Sequence, residues 1–437
     1  MPRREDDNPL MHSGRRGPSW GKIWGITLCV ILGIVVAGSV GIYYFGHNMI
    51  TRMNYQADED VRQFETLPEQ AMEVSTEVDP AGNVLNESEL ENLHTLMNQA
   101  QTIQRDDDAV MDQSVYNVLI AGVDRDDKSW NGNADSIMLV SLNNDKKRAS
   151  VISLMRDTYA EIPGHDYNKL NASYAYGGGP LLCDTVEENY RIPVERYAAV
   201  DFENLIDIVD ALGGIEIDWT ENEIEVANGY IKDMCERVLD IPYEEHAILD
   251  GPGVHLSDGV QAVAYARNRF VGNSDYTRTQ RQRYVIQQMV KKIKSLSSTQ
   301  LLGFVQKVLP LVTHNLPENE IWSLVWDAPS ILKYDIVMDR VPYDGMYSEI
   351  DVGGQGMLVP DWNETISQMH RTIYGDGSIS GNEDNDMDTS KYELTDEYME
   401  MTGGTGTLFP EGFTGELATE RQTEQTGKSE SLPKQRP

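Results

Sequence analysis

The sequence predicts an α/β domain, with a central sheet flanked by helices, carried behind one N-terminal transmembrane helix. Three observations predict it. Tyr116 to Ala121, Ser136 to Leu142 and Ala149 to Leu154 are short runs rich in Val, Ile and Leu, the pattern of buried strands. Between and after them apolar residues recur at helical spacing, and such alternation builds layers around a sheet. Ahead of them, Ile23 to Phe45 is charge-free, mainly apolar and long enough to span a bilayer.

Arg3, Arg4, Arg15, Arg16 and Lys22 precede that apolar run. The positive-inside rule therefore places residues 1–22 in the cytoplasm and everything after the 23–45 helix outside the cell membrane. A cleaved signal peptide would have an apolar stretch of only about 7–15 residues before its cleavage site. The longer run favours an uncleaved anchor. Residues 46–113 are polar and acidic and read as an extracytoplasmic stalk, in which Ser88 and Glu91 have capping-box spacing for a helix over Ser88 to Ile103. The main domain is expected over 114–374. Within it Asp201 has the character of an N-cap, and Phe202, Leu205, Ile206, Val209 and Leu212 share one helical face before the stop at Gly213. Ile215 and Ile217 open another strand, Ser257 is expected to cap a helix running to Tyr265, and Thr277 to Leu296 reads as a long helix. Gly177 to Gly179 are expected to connect helices, and Tyr334 to Val341 to form a strand joining the sheet edge. From residue 375 to 437 Gly, Ser, Thr, Asp and Glu dominate, so a disordered acidic tail is expected.

The formal net charge of −35 opposes binding to nucleic acid, and no nucleic-acid partner is expected. Of three cysteines, Cys29 lies in the apolar run. Cys183 and Cys235 fit no zinc-ligand spacing; in an exported domain they form either a disulfide or two buried thiols. No GxSxG, P-loop or HExxH pattern occurs.

Against this acidity the arginines stand out. Arg267, Arg269, Arg278, Arg281 and Arg283 crowd a segment whose single acid is Asp275. On a helix Arg278, Arg281 and Gln282 share a face, and Arg267 and Arg269 alternate as in extended chain. Converging guanidinium groups suit a diphosphate, because each grips phosphate oxygens in a forked pair. The competing reading is a solvated basic face. Asp124 and Asp135 lie at adjacent strand ends, where two carboxylates can share a hard cation such as Mg²⁺, though aspartates there also simply form turns. Arg156 and Asp157 follow a third strand, the place where ligands gather in open α/β sheets. Asp157 and Asp275 are candidate bases.

These stretches resemble the LytR-CpsA-Psr family of cell-wall glycopolymer ligases. The likeness runs, in the family's order, through "YNVLIAGVD", "NADSIMLVSL", "SLMRDTYAEIPG", "KLNASYAYGGG", "YAAVDFENLIDIVDALGGIEI", "DGVQAVAYARNR" and "DYTRTQRQ". It implies an α/β/α domain with a central mixed β-sheet and an apolar tunnel for a lipid tail. It implies a Mg-dependent (or Mn-dependent) phosphotransferase that moves a glycopolymer, such as teichoic acid or capsule polysaccharide, from a polyprenyl-diphosphate carrier onto peptidoglycan. By motif, Asp124 and Asp135 would hold the metal, while Arg156, Arg267, Arg269, Arg278 and Gln282 would hold the diphosphate, the arginines also acting in catalysis. The chain departs from the family in placing Arg125 one position early after Asp124, and in reading Asn133-Ala134-Asp135 before the second strand. Two rival functions share the same site chemistry: hydrolysis of the polyprenyl diphosphate, and non-catalytic binding of a lipid phosphate by an envelope regulator.

Overall fold

A computed structural model describes residues 46–48, 50–65, 114–124, 129–165, 167–248, 251–352, 355–375 and 392–401. The expected cytoplasmic segment, the 23–45 span, the 88–103 helix and Arg125 lie outside the described residues. Among the described residues no helix is long and apolar enough to cross a membrane. The chain divides into one unit up to Arg52 and another from Met53. In the first, the Thr51 amide donates to the His47 carbonyl at 2.9 Å, closing a helical turn.

The second unit runs through β1 (Asn54–Tyr55), β2 (Val115–Asp124), β3 (Asn133–Asn143), β4 (Arg148–Leu154), β5 (Tyr159–Glu161) and β6 (Tyr167–Lys169). Next come α1 (Ala172–Tyr190), β7 (Tyr197–Asp201), α2 (Phe202–Ala211), β8 (Ile215–Trp219), α3 (Glu221–Asp233), β9 (Gly253–Ser257), α4 (Gly259–Arg267) and α5 (Ser274–Ser295). Last are α6 (Ser298–Val308), β10 (Thr313–His314), α7 (Glu318–Ile331), β11 (Asp335–Val341), β12 (Tyr347–Val352), β13 (Gln355–Pro360), α8 (Trp362–Tyr374) and α9 (Asp396–Met401).

Among the described residues seven strands form the central sheet, in the order β1-β10-β7-β2-β3-β4-β11. The pairs β1/β10, β7/β2 and β4/β11 are parallel and the other three antiparallel, so the sheet is mixed, as expected. The strand expected over Tyr334 to Val341 takes the sheet edge, in register from Asp335 opposite Arg148 to Val341 opposite Leu154.

Local chemistry explains the boundaries. The Asp201 carboxylate accepts from the Asn204 amide at 2.9 Å to cap α2, and Gly213 adopts φ +76° to end it. The cap of α4 is Asp258 rather than Ser257: Asp258 and Gln261 form the capping box, while the Ser257 hydroxyl accepts from Trp219 Nε1 at 3.0 Å. The sequence placed the cap one residue early because serine and aspartate are both good caps. Gly177 and Gly178 lie at a kink inside α1.

Two cores result. Leu119, Ala121, Ile137, Leu139, Ile152 and Leu154 of the sheet pack on Leu182, Val186 and Tyr190 of α1 and on Trp362 and Met369 of α8. A second cluster joins Ile206, Val209, Trp219, Ala227, Val263, Tyr265 and Val285, from α2, β8, α3, α4 and α5. Of the two readings for Cys183 and Cys235, the candidate disulfide is absent and the buried thiols are present: both are free, because Cys183 belongs to the first core and Cys235 to the second.

The other face of the sheet is apolar but only partly covered. Two of its cross-strand rows are Val118, Val140, Val151 and Met338, then Tyr116, Leu142, Ala149 and Ile336, with Ile336 still 38% exposed; the row nearer the Asp124 end is Ile120, Met138, Ser153 and the buried Arg340.

Two expected appendages are partly built into the domain. Asn54 and Tyr55, expected in the stalk, pair with Thr313 and His314, and Val61 is buried. Residues 392–401, expected in the disordered tail, include helix α9, and Leu394 bridges to Val271. Few but well-placed apolar residues account for this: Tyr398 is only 1% exposed against Val226, Phe270 and Val271.

Candidate functional site

The ends of β2, β3, β4 and β6 and the first turn of α5 meet at one end of the sheet. Gly122 pairs with Ser136 and Val123 with Ala134, which leaves Asp135 as the extra residue of a β-bulge. Bulges re-aim side chains, and the Asp135 carboxylate here lies 2.9 Å from Arg156 Nη1. Arg156, just past β4, also reaches Asp157 at 3.4 Å and Asp275 at 3.8 Å. Asp275 meets Arg278 at 3.0 Å, and Lys169 meets Asp157 at 2.8 Å. Three carboxylates thus interleave with three cations, with no side chain in the cluster more than 25% exposed.

The electrostatics follow from this interleaving. Burial opposes ionisation of Asp135, but Arg156 and Arg278 outweigh it and hold the carboxyl below its ordinary range. Burial likewise opposes ionisation of Asp157, yet Arg156 and Lys169 bring it down to about 2. Arg278 is pushed below the usual arginine range, first by burial and then by Arg156 beside it. A cation already disfavoured by burial and by a like charge gains most from an incoming anion.

Arg267 and Arg269 border the same place. The Arg267 guanidinium stacks 4.9 Å from the Phe202 ring and 5.6 Å from the Tyr230 ring, and Arg269 lies 5.1 Å from Phe270. Burial raises the Tyr230 phenol, and the charges of Arg269, Arg267 and Arg278 oppose that rise in part. Gln282 is half-buried, one helical turn beyond Arg278. Asp124 ends β2 opposite Asn133, beside the bulge that carries Asp135.

The arginine cluster divides by role. Arg281 is fully buried, 3.0 Å from an equally buried Glu223, and its Nη1 donates to the Asn268 carbonyl at 3.0 Å. It thereby fixes the loop between Arg267 and Arg269. Arg283 is also buried. Their burial rules out, for these two, the competing reading of a solvated basic face. Sequence reasoning missed Lys169 and Tyr230. The only signal for Lys169 was its position in "KLNASYAYGGG"; Tyr230 gave none, being one aromatic on an amphipathic helix.

Among the described residues no group of three or more His, Cys, Asp or Glu side chains could hold a metal ion. Asp124 and Asp135 supply two carboxylates. Oxygen donors are the kind a hard cation takes, but Asp135 is already engaged by Arg156 at 2.9 Å.

The profile of the LytR_cpsA_psr family matches residues 85–369, well over half of the chain. The chain belongs to the LytR_cpsA_psr family. Among curated relatives of this family member, Biofilm regulatory protein A of Streptococcus mutans is 32% identical over 252 residues, which are 54% of this chain and 57% of the relative. The Bacillus licheniformis polyisoprenyl-teichoic acid–peptidoglycan teichoic acid transferase TagU is 30% identical over 271 residues, 60% of this chain and 80% of that protein. The LytR_cpsA_psr chain therefore spans little more than half the length of the first of these relatives. A solved structure from Streptococcus agalactiae, 24% identical, matches with a TM-score of 0.50 over 66% of this chain and 95% of its own, a likeness of fold.

Proposed function

We propose that this LytR_cpsA_psr protein is a phosphotransferase that moves a glycopolymer from a polyprenyl-diphosphate carrier onto peptidoglycan during cell-wall assembly. One observation carries the reading: one sheet carries both a partly covered, largely apolar face and, at its Asp124 end, a cluster of largely buried guanidinium groups. A lipid diphosphate needs both surfaces side by side. The printed name of the TagU relative, a polyisoprenyl-teichoic acid–peptidoglycan teichoic acid transferase, supports the same chemistry. In this reading the 23–45 helix anchors the chain in the cell membrane, with the domain outside.

Arg156, Arg267, Arg269, Arg278 and Gln282 bind and orient the diphosphate over the end of the sheet. A sugar hydroxyl oxygen of the acceptor attacks the glycan-linked phosphorus, that P–O bond forms, and the bond to the prenyl phosphate breaks. Negative charge then grows on the departing phosphate, where the arginines are already placed to stabilise it. Asp124 and Asp135 would hold Mg²⁺ or Mn²⁺, which when bound supplies further neutralisation of phosphate charge. Asp157 and Asp275 are engaged with cations, and an Asp157 carboxyl near 2 is a weak base. The departing prenyl phosphate is the better acceptor for the hydroxyl proton, which balances the reaction without a side-chain base.

The test is mass spectrometry of lipid co-purified with detergent-extracted protein. A polyprenyl phosphate or diphosphate is expected in the wild type and absent in Arg267→Ala/Arg269→Ala; no such lipid in either overturns the reading. Incubation with and without a glycan acceptor then separates transfer from hydrolysis.

A further inference from the structure

Residues 392–401 lie beyond the 85–369 match to the family, yet they are fastened to the loop that carries Arg269. The Gly272 amide donates to the Glu393 carbonyl at 2.8 Å, and the Thr395 amide donates to the Phe270 carbonyl at 2.8 Å. Leu394 and Val271 form the bridge between these two bonds. Close approach is possible because residue 272 is glycine: at φ +89° an added Cβ would stand 2.7 Å from Thr277 Oγ1 and 3.0 Å from the Tyr392 ring. The Tyr392 hydroxyl donates to Gln280 Oε1 at 3.0 Å, and Asn222 Nδ2 donates to the Tyr392 carbonyl at 3.2 Å, tying the strap to α5 and α3. Tyr398 stacks 5.5 Å from Phe270. The consequence is that one carboxylate of α9, Glu397, comes to 3.7 Å from Arg269 Nη2.

We propose that this strap belongs to the phosphate pocket, and that Glu397 is a tethered anion which occupies Arg269 until the substrate's diphosphate displaces it. The inference rests on the phosphate-binding reading of Arg269 given above. Arg269 is 21% exposed and Glu397 43% exposed, so the pair is screened by water and weak enough to exchange. A diphosphate offers more charge and more acceptor oxygens than a single carboxylate, and takes the guanidinium in a forked pair. Glu397 thus lowers the affinity for the carrier by competition, without touching the reacting atoms.

The experiment measures the dissociation constant of farnesyl diphosphate, a soluble short-chain probe, for the full chain in detergent. Glu397→Gln removes the competing charge and is expected to tighten binding about two- to five-fold, the range an exposed ion pair supports. Glu397→Asp is expected to restore the wild-type value. In an Arg269→Ala background, Glu397→Gln is expected to change nothing, because the partner it competes for is gone. Unchanged or weaker binding by Glu397→Gln, or the same tightening without Arg269, overturns the inference. If Arg267→Ala/Arg269→Ala loses the probe while Glu397→Gln is neutral, the pocket stands and the strap's role falls. If the wild type binds no probe, the pocket and the strap fall together.

Discussion

Asp135 Oδ1 and Arg156 Nη1 meet at 2.9 Å because Asp135 is the extra residue of the β2–β3 bulge. The bulge turns a strand residue into a site residue, and Arg156 is held at the sheet end by three carboxylates, of which Asp135 is the nearest. Asp135→Ala removes that nearest partner from a largely buried guanidinium. A loss of about 1–3 kcal/mol in unfolding free energy is expected, with transfer reduced at least ten-fold, read by urea unfolding and by product formation. A variant as stable and as active as wild type would show that Arg156 is held by Asp157 and Asp275 alone.

Asp157 makes stability depend on pH with a definite sign. Its folded carboxyl lies near 2, below the ordinary value of 3.8, so its stabilisation is fully present above about pH 4. It is lost as pH falls through the folded value. The expected contribution is about 2 kcal/mol. Unfolding measured at pH 5 and at pH 2.5 should show this decline in the wild type and a shallower one in Asp157→Asn.

Arg281 and the pair Arg267/Arg269 should separate cleanly. Arg281→Ala leaves Glu223 buried and unpaired and frees the Asn268 carbonyl, and is expected to cost about 3–5 kcal/mol. Arg267→Ala/Arg269→Ala removes side chains that stack on rings at the pocket rim, so transfer is expected to disappear while the melting temperature moves by only a few degrees. Equal thermal losses in both variants would refute the division of the cluster.

The proposed cation site at Asp124 and Asp135 predicts divalent-cation dependence. Chelation is expected to abolish transfer and Mg²⁺ or Mn²⁺ to restore it, and Asp124→Asn should raise the Mg²⁺ concentration needed for half-maximal turnover. Full activity in excess chelator would remove the metal from the mechanism.

The strands, the α2 cap at Asp201 and the edge strand ending at Val341 were legible because each rests on local pattern: apolar runs, a capping carboxylate, a β-rich segment. The two-role split of the arginines was not legible. Arg278 and Arg281 share a helical face, yet one meets Asp275 at the site and the other meets Glu223 in the interior. That difference depends on where α3 packs, which no spacing along α5 reports. Asp135 was picked out as a strand-end carboxylate, but a bulge is a relation between two strands and leaves no mark on either alone. The order of residues 392–401 was hidden by composition, because a few buried aromatic and aliphatic contacts decide it within a polar stretch.

Cys183 and Cys235, separated into different cores, carry a consequence for how the domain matures. Burial raises both thiols, Cys235 to about 11, so neither offers a reactive thiolate at neutral pH. Folding of the domain then asks nothing of an oxidase or a disulfide isomerase, and a reductant such as dithiothreitol should leave its unfolding midpoint unchanged. The fold is redox-silent: its persistence depends on packing and ion pairing, not on covalent cross-links that the surroundings could break.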